Sequence, residues 1–447
     1  MNLLKSKKVV SALWVFGGYG AAQVIRLASN LILTRLLAPE MFGLMVLVSA
    51  ILIGVTLLSD VGIRDSIINT KGESQSRFLN TAWTLQVCRG MLIFLCIFFA
   101  APPLEAYFQY EGLALLLQVC ALISVFNGCA SLNMYVLEKQ LEFRVQVCIE
   151  TGVNILCAGL MIVAALFYQS VWCLAIGMLA QAFLKMVWTH TLLPGQKMRF
   201  DFELASVKKI THFGKWIFLS TAAMYATFQG DKLILAKIIT PYELGIYSIA
   251  AIFGYVLKDV IANVSNKMIM PIYRQVVENG EPLRKILKAR FTLLLLAFLM
   301  SLLISGFGET VIRVLYDDRY AGAGWILQLL VFAGLCHSFD DTIRSFLMAN
   351  RDSFHGFCVQ GLKGVIFLSM AFWLSSSFGI IGMLVAMALT PLLVFPYLMY
   401  VVSLHGYRWC YMDFISLFIV VVSFSLLWRI QNGELWGNLM TLLTLGA

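Results

Sequence analysis

The sequence is poor in charge. Of its 447 residues, 33 are Lys or Arg and 24 are Asp or Glu, 13% of the chain, against roughly 25% in an average soluble protein. So few charges cannot cover the surface of a water-soluble fold of this size, which excludes that class. Spacings for metal and redox chemistry are lacking as well. The ten cysteines sit mostly inside apolar runs, with no CxxC pair, which fits small core residues rather than a disulfide or metal framework. The five histidines (His190, His212, His337, His355, His405) are scattered, and neither HExxH nor GxxxxGK[ST] occurs. A zinc-peptidase helix and a P-loop nucleotide site are therefore excluded.

What the chain has is apolar length. Hydrophobic residues make up 60% of it, with a mean hydropathy of +0.84. Apolar stretches recur, each long enough to cross a hydrocarbon core of about 30 Å. This predicts an all-α polytopic membrane protein with 13–14 transmembrane helices. Hydropathy and breaker residues place spans at 9–37, 42–68, 79–101, 112–137, 145–168, 171–193, 210–237, 242–270, 291–315, 322–347, 357–378, 379–402 and 411–430, with a short or tilted fourteenth at 435–447. The basic start MNLLKSKKVV leads into an apolar pattern that runs to about Leu37. It reads as a retained first helix rather than a cleaved signal.

Lys and Arg set the expected orientation. With the N-terminus in the cytoplasm, 19 basic loop residues fall on the cytoplasmic side and 5 on the other. The net charge of +9 is thus partly a topology signal and calls for no nucleic-acid partner. The longest polar linker, PGQKMRFDFELASVKK at 194–209, separates an N-lobe (1–209) from a C-lobe (210–402), followed by an extra helix or hairpin (403–447).

The two halves share a motif. LILTRLLAPEMFGLM at 31–45 returns as LILAKIITPYELGIY at 233–247, an offset of 202 that keeps the Pro and Gly spacing. Leu117-Gln118 likewise matches Leu327-Gln328, at offset 210. Both copies of the first motif sit at the end of a lobe's first helix, its turn and the next helix. The expectation is two pseudo-symmetric six-helix lobes of one orientation around a central cavity, as in transporters that rock one lobe against the other.

Nine basic residues fall within or at the ends of spans: Arg26, Arg89, Lys185, Lys215, Lys232, Lys258, Lys267, Arg344 and Lys363. A mid-bilayer charge costs at least about 2.5–3.5 kcal/mol. Lys215 and Lys267, near span ends, can snorkel to the interface. Asp340 and Asp341 precede Arg344 by four and three residues, and Asp60 precedes Arg64 by four, so local pairs are open to them. Arg26 and Arg89 have no acid at those spacings. Polar stripes run along single helical faces: Tyr19–Gln23–Arg26–Asn30, Gln146–Glu150–Asn154, Gln181–Lys185–Thr189, Tyr225–Gln229–Lys232, Asp259–Asn263–Asn266 and Gln360–Lys363. Such faces meet a wet cavity or another polar helix rather than lipid. The excess of cations suits an anionic ligand. The expected binding residues are Arg26, Arg89, Lys232, Lys258, Arg344 and Lys363, with Gln23, Asn30, Gln229 and Asn263 as polar lining. Asp60, Glu150 and Asp259 either carry a coupling ion or serve as counter-ions. No catalytic residue, cofactor or metal is expected.

Three motifs carry a resemblance: RLASNLILTRLLAPEMFGLMVL with LLSDVGI, DKLILAKIITPYELGIYSIA, and LYDDRYAGAGWILQLL. In order and spacing they resemble the polysaccharide-repeat-unit flippases of the multidrug/oligosaccharidyl-lipid/polysaccharide exporter superfamily, which handle O-antigen and exopolysaccharide units. The resemblance implies a cationic cavity, with Arg26, Arg89 and Lys258 at its helix-level positions. It implies a substrate of undecaprenyl-diphosphate-linked oligosaccharide in the bacterial inner membrane, and, beside membrane lipid, a polymerase and a chain-length regulator as partners. It does not imply an enzyme. Two alternatives share the scaffold. A multidrug cation antiporter would want a negatively charged cavity, and a peptidoglycan-precursor flippase is permitted by the general fold. A membrane glycan polymerase would carry large outer loops with Arg or acidic motifs, whereas the longest predicted outer loop, APPLEAYFQYEG, has no basic residue.

Overall fold

The computed structural model describes residues 2–69, 76–140, 142–208, 229–265, 269–279, 284–350 and 352–405, with single positions 210, 225, 418 and 422. The predicted spans beyond residue 405 lie outside the described residues apart from two single positions, and so do Lys215, Lys267 and Asn266. The helices, in order, are α1 (Asn2–Leu36), α2 (Pro39–Leu58), α3 (Ile63–Asn69), α4 (Ser76–Phe108), α5 (Leu113–Cys120), α6 (Leu122–Cys129), α7 (Asn133–Lys139), α8 (Arg144–Tyr168) and α9 (Trp172–Thr191). Then come α10 (229–238), α11 (Pro241–Val264), α12 (Met270–Asn279), α13 (Arg284–Leu315), α14 (Ala323–Ala349) and α15 (Ser353–Leu404). Eight helices among the described residues are long and apolar enough to cross a membrane. The chain is an all-α polytopic membrane protein. It divides into two compact units, Met1–Tyr225 and Ala226–Ala447.

In the first unit, α8 packs on α1 and α9, and α4 on α5 and α6. Glycine sets the α4–α6 distance. A Cβ at Gly90 would lie 2.5 Å from the Ser124 carbonyl oxygen and 3.1 Å from the Gly128 Cα. Three expectations are corrected here. The span predicted at 42–68 ends at Leu58, where Gly62 (φ 69) turns the chain and donates its N–H to Asp60 Oδ1 at 2.9 Å. The span predicted at 112–137 is broken into α5, α6 and α7, with Leu113–Cys129 and Asn133–Lys139 meeting at 56°. The outer loop APPLEAYFQYEG is mostly helix, because α4 runs through Pro102 and Pro103 to Phe108.

That last departure has a physical reason. Proline has no N–H for the carbonyl four residues before it. The Phe98 carbonyl, which Pro102 leaves open, accepts instead from Gln118 Nε2 on α5 at 3.3 Å. One turn on, Glu105 accepts from the N–H groups of Gly112 (3.3 Å) and Ala114 (2.6 Å), which are orphan donors at the start of α5. The polar linker after α9 is likewise no free tether. Its N–H groups at Arg199, Asp201 and Glu203 donate to Asn80 Oδ1 (3.2 Å), Thr84 Oγ1 (3.1 Å) and Thr81 Oγ1 (3.2 Å) of α4.

In the second unit, α14 is almost wholly buried and packs against α11, α13 and α15. Small residues let the helices approach: a Cβ at Gly254 of α11 would meet Leu330 Cβ at 2.7 Å. α15 is two helices joined at Gly379, whose φ of 57° and ψ of −133° suit glycine. The break falls where the sequence places the boundary between 357–378 and 379–402. The two free ends of this hairpin are tied by Asp352. Its Oδ1 accepts the His355 N–H at 3.1 Å, and its Oδ2 lies 2.7 Å from His355 Nδ1 and 2.8 Å from His405 Nε2.

The two copies of the repeated motif take one local conformation. Ala38 (φ −75, ψ 151) and Thr240 (φ −70, ψ 158) are extended N-caps, each followed by proline at the first helical position, where its missing N–H is no loss. Thr240 adds a capping box: its Oγ1 accepts the Glu243 N–H at 3.3 Å, and Glu243 Oε2 accepts the Thr240 N–H at 2.9 Å.

Two predictions follow from this packing. Gly90→Ala puts a Cβ against backbone and is expected to lower stability by about 1–3 kcal/mol. Gly20→Ala, where nothing lies within 4 Å of the new Cβ, is expected to be neutral or stabilising; thermal unfolding of the two variants in detergent checks this contrast. The second prediction concerns acid. Burial pushes the Asp352 carboxyl up, but the hydrogen bonds from His405 and from the backbone and ring of His355 outweigh it and hold the group below the usual carboxylate range. Its contribution to stability is present above the unfolded aspartate pKa of about 3.9 and is lost as pH falls through the depressed folded value. The stability margin of wild type over Asp352→Asn is expected to shrink in that acid window. A margin that stays constant down to about pH 3 would count against the clamp.

Candidate functional site

Five of the candidate residues converge on one cavity in the second unit. It has a volume of about 170 Å³ and is lined by Gln229 and Lys232 of α10, Tyr255, Lys258 and Asp259 of α11, His337 of α14, and Lys363, Phe367, Met387 and Thr390 of α15. Local geometry explains the alignment. Tyr255, Lys258 and Asp259 share a helical face through i, i+3 and i+4 spacing. Lys363 and Phe367 do the same on the first arm of α15, and Met387 and Thr390 on the second. Lys232 Nζ donates to Gln229 Oε1 at 2.7 Å, and Lys258 Nζ lies 6.0 Å from the centroid of the Tyr255 ring. Three lysines thus face one aspartate across a small volume. Buried acids stand behind this lining, Asp340 paired with Lys363 among them, so the lysines are held in place from outside the cavity.

Lys363 is deeply placed, at 4% exposure. It forms an ion pair with Asp340 of α14, itself 1% exposed. Of the two local partners open to Arg344, Asp340 goes instead to this contact between helices, while Asp341 keeps an electrostatic interaction with Arg344. Arg344 is partly buried on α14, about two turns beyond His337, and is not among the lining residues. Asn263 is exposed and turns back to its own helix, donating Nδ2 to the Asp259 carbonyl at 2.8 Å.

Behind the cavity wall lies a group that the sequence reading passed over. Asp231, 1% exposed, accepts from Tyr247 and Tyr255, both at 2.6 Å through Oδ2, and the two hydroxyls are 3.3 Å apart. Tyr247 and Tyr255 are eight residues apart on α11 and so share a face. A pair of phenols on the buried side of an apolar helix needs a buried partner, and that was the available signal. Asp231 fixes Tyr255, which in turn lies under Lys258.

The candidates in the first unit are placed differently. Arg26 is exposed on α1, with Gln23 and Asn30 partly buried on the same helix. Arg89, on α4, reaches the end of α2: its Nε donates to Ser59 Oγ (3.1 Å), its Nη2 to the Thr56 carbonyl (2.5 Å), and its Nη1 lies 3.7 Å from Asp60 Oδ1. Arg64 pairs with Glu138, so the local Asp60–Arg64 pairing gives way to Asp60–Arg89. Glu150 lies 3.8 Å from Lys185 Nζ and accepts from Gln146 Nε2 at 3.3 Å, while Gln181 Nε2 donates to Asn154 Oδ1 at 2.7 Å. The polar stripes of α8 and α9 therefore face each other.

This apolar helical scaffold with its cationic pocket can be set beside known proteins. The family described as polysaccharide biosynthesis protein matches residues 32–324, more than half of the chain. The chain belongs to that family. The lipopolysaccharide biosynthesis protein WzxC of Escherichia coli K12 is 25% identical to it over 362 residues, covering 77% of this chain and 70% of WzxC. Among solved structures, the lipid II flippase MurJ in an inward closed conformation superposes with a TM-score of 0.69 at 12% identity, covering 94% of this chain and 99% of MurJ. An inward-facing multidrug resistance MATE family transporter of the MOP superfamily gives 0.64 at 14%, covering 86% and 94%. At these identities the structural likeness shows the fold alone. Family and fold are those that the helix-turn motifs resemble: a multi-pass membrane protein of polysaccharide biosynthesis and transport.

The Asp231 clamp makes a prediction. Tyr247→Phe removes one donor to a buried carboxylate and is expected to cost about 1.5–3 kcal/mol. The double variant with Tyr255→Phe is expected to cost more than the sum of the two, because it strips Asp231 of both hydroxyls. Thermal unfolding of the single and double variants measures the coupling. Purely additive losses would mean that the two tyrosines do not share the load.

Proposed function

We propose that this protein moves oligosaccharide repeat units linked to undecaprenyl diphosphate from the inner to the outer leaflet of the bacterial inner membrane. The observation that carries the reading is the cavity in which Lys232, Lys258 and Lys363 face Asp259, in a chain of the polysaccharide biosynthesis family. At about 170 Å³ the cavity is below the roughly 300–1,000 Å³ of drug-sized pockets. It suits a phosphate group or a single sugar residue rather than a whole oligosaccharide. Lysine serves as a point charge for phosphate oxygens, and Gln229 and Thr390 add groups that hydrogen-bond a sugar hydroxyl. Transport proceeds by alternating access with the N-terminus in the cytoplasm. No bond is made or broken, so the protein is not an enzyme. The product is passed to a polymerase and its chain-length regulator.

The three lysines of the lining disfavour the cation antiporter, since a cationic drug would meet like charge. The peptidoglycan precursor shares the diphosphate lipid and differs in its sugars. Lipid analysis of cells lacking the gene, with the later pathway intact, separates these readings. Build-up of one diphosphate-linked oligosaccharide in the inner leaflet supports the proposal; normal lipids with new sensitivity to cationic drugs supports the antiporter. The charge itself is tested by Lys232→Gln/Lys258→Gln, which is expected to lower translocation in reconstituted vesicles by roughly tenfold or more and to recover in the double Arg variant. Unchanged translocation by the Gln variant would remove these lysines from the site.

A further inference from the structure

Three glycines stand within four residues of α1, in the stretch GGYG at 17–20. Each weakens a helix interior by about 1 kcal/mol relative to alanine. Packing accounts for one of them: a Cβ at Gly18 would meet Val147 Cγ1 of α8 at 2.4 Å, whereas at Gly17 and Gly20 nothing lies within 4 Å. Gly17 instead floors a groove of about 600 Å³ between α1 and α8, walled by Trp14, Ala21, Val147, Thr151 and Gly152. That size lies within the range of ligand pockets, and the walls are nearly all apolar.

One end of the groove carries an exposed cation. Arg144, the first residue of α8, stacks over the Trp14 ring at 5.6 Å and is otherwise exposed. The first turn of α8 carries no acidic residue, and its orphan N–H groups point the same way. A cation here opposes the helix dipole, so helix stability does not explain Arg144. From this end the groove follows α8 for about two turns to Gly152. A cationic mouth with an apolar trough behind it matches a lipid with an anionic head. The trough lies between one pair of helices, which suits a single chain rather than the two acyl chains of a phospholipid.

We propose that this groove seats the head-proximal isoprenoid units of a polyprenyl diphosphate lipid, with the diphosphate on Arg144. The inference rests on the flippase reading and adds to it a docking site for the lipid and its diphosphate, occupied before the head group engages the lysine cavity.

The test uses the full-length protein in phosphatidylethanolamine–phosphatidylglycerol vesicles with a polyprenyl diphosphate that carries a photoreactive diazirine near its head. After illumination, adducts are mapped by mass spectrometry. The expected adducts fall on residues 14–21 and 147–152, are competed by unlabelled polyprenyl diphosphate, and survive excess phosphatidylglycerol. They are expected to drop roughly tenfold in Arg144→Gln, and as steeply in Gly17→Leu, whose side chain enters open space and spares the fold. Adducts confined to the lining of the lysine cavity would overturn the groove and leave the flippase reading standing. Loss of groove adducts to excess phosphatidylglycerol would assign the groove to bulk phospholipid and overturn the proposal. Absence of competed adducts anywhere would overturn both the groove and the lipid-linked substrate.

Discussion

A polar group in hydrocarbon must find its partner inside the protein, and most of what is distinctive in this structure answers that demand. Arg89 meets the open end of α2 and Asp60. Gln118 meets the carbonyl that a proline releases. Glu150 and Lys185 meet across α8 and α9. Lys363 and Asp340 meet in the core of the second unit. The buried Lys363–Asp340 pair contributes little net stability, because desolvation offsets attraction, but removing one partner there costs about 3–5 kcal/mol. Such contacts act as constraints on which helix faces which.

The same rule makes the cavity of the second unit informative. Its lining carries three lysines and one aspartate, and the charge is held in place by groups outside the lining: Asp340 behind Lys363, and Asp231 with its two tyrosines behind Lys258. These acids anchor the lysines from outside the lining, so the wall of the cavity keeps its basic groups in fixed positions.

Much of this was legible in the sequence. Charge poverty and apolar length gave the class, and the paired proline corners gave two local structures that share backbone angles at Ala38 and Thr240. The cavity residues Gln229, Lys232, Asp259 and Lys363 stood out in stripes, because a stripe depends on helical periodicity alone, and Lys258 stood out as a basic residue inside an apolar span. Pairings between helices were not legible. Asp60 with Arg89, and Asp340 with Lys363, join residues 29 and 23 positions apart, and i, i+4 spacing offers nearer but wrong partners. The helix through Pro102 and Pro103 was missed for the same reason, since the group that makes it tolerable lies on the next helix. Asp231 was passed over because a lone acid in an apolar run shows no period; its partners, Tyr247 and Tyr255, were the visible half.

The hairpin of α15 has a mechanical consequence. Its two arms are joined at Gly379 with no intervening loop, and Asp352 links their other ends through His355 and His405. Fastened at both ends, the arms cannot slide past one another, and they move as one panel. Lys363 and Phe367 ride on one arm, Met387 and Thr390 on the other, so this side of the cavity keeps its spacing as the panel shifts. The buried Lys363–Asp340 pair ties that panel to α14 from within the core.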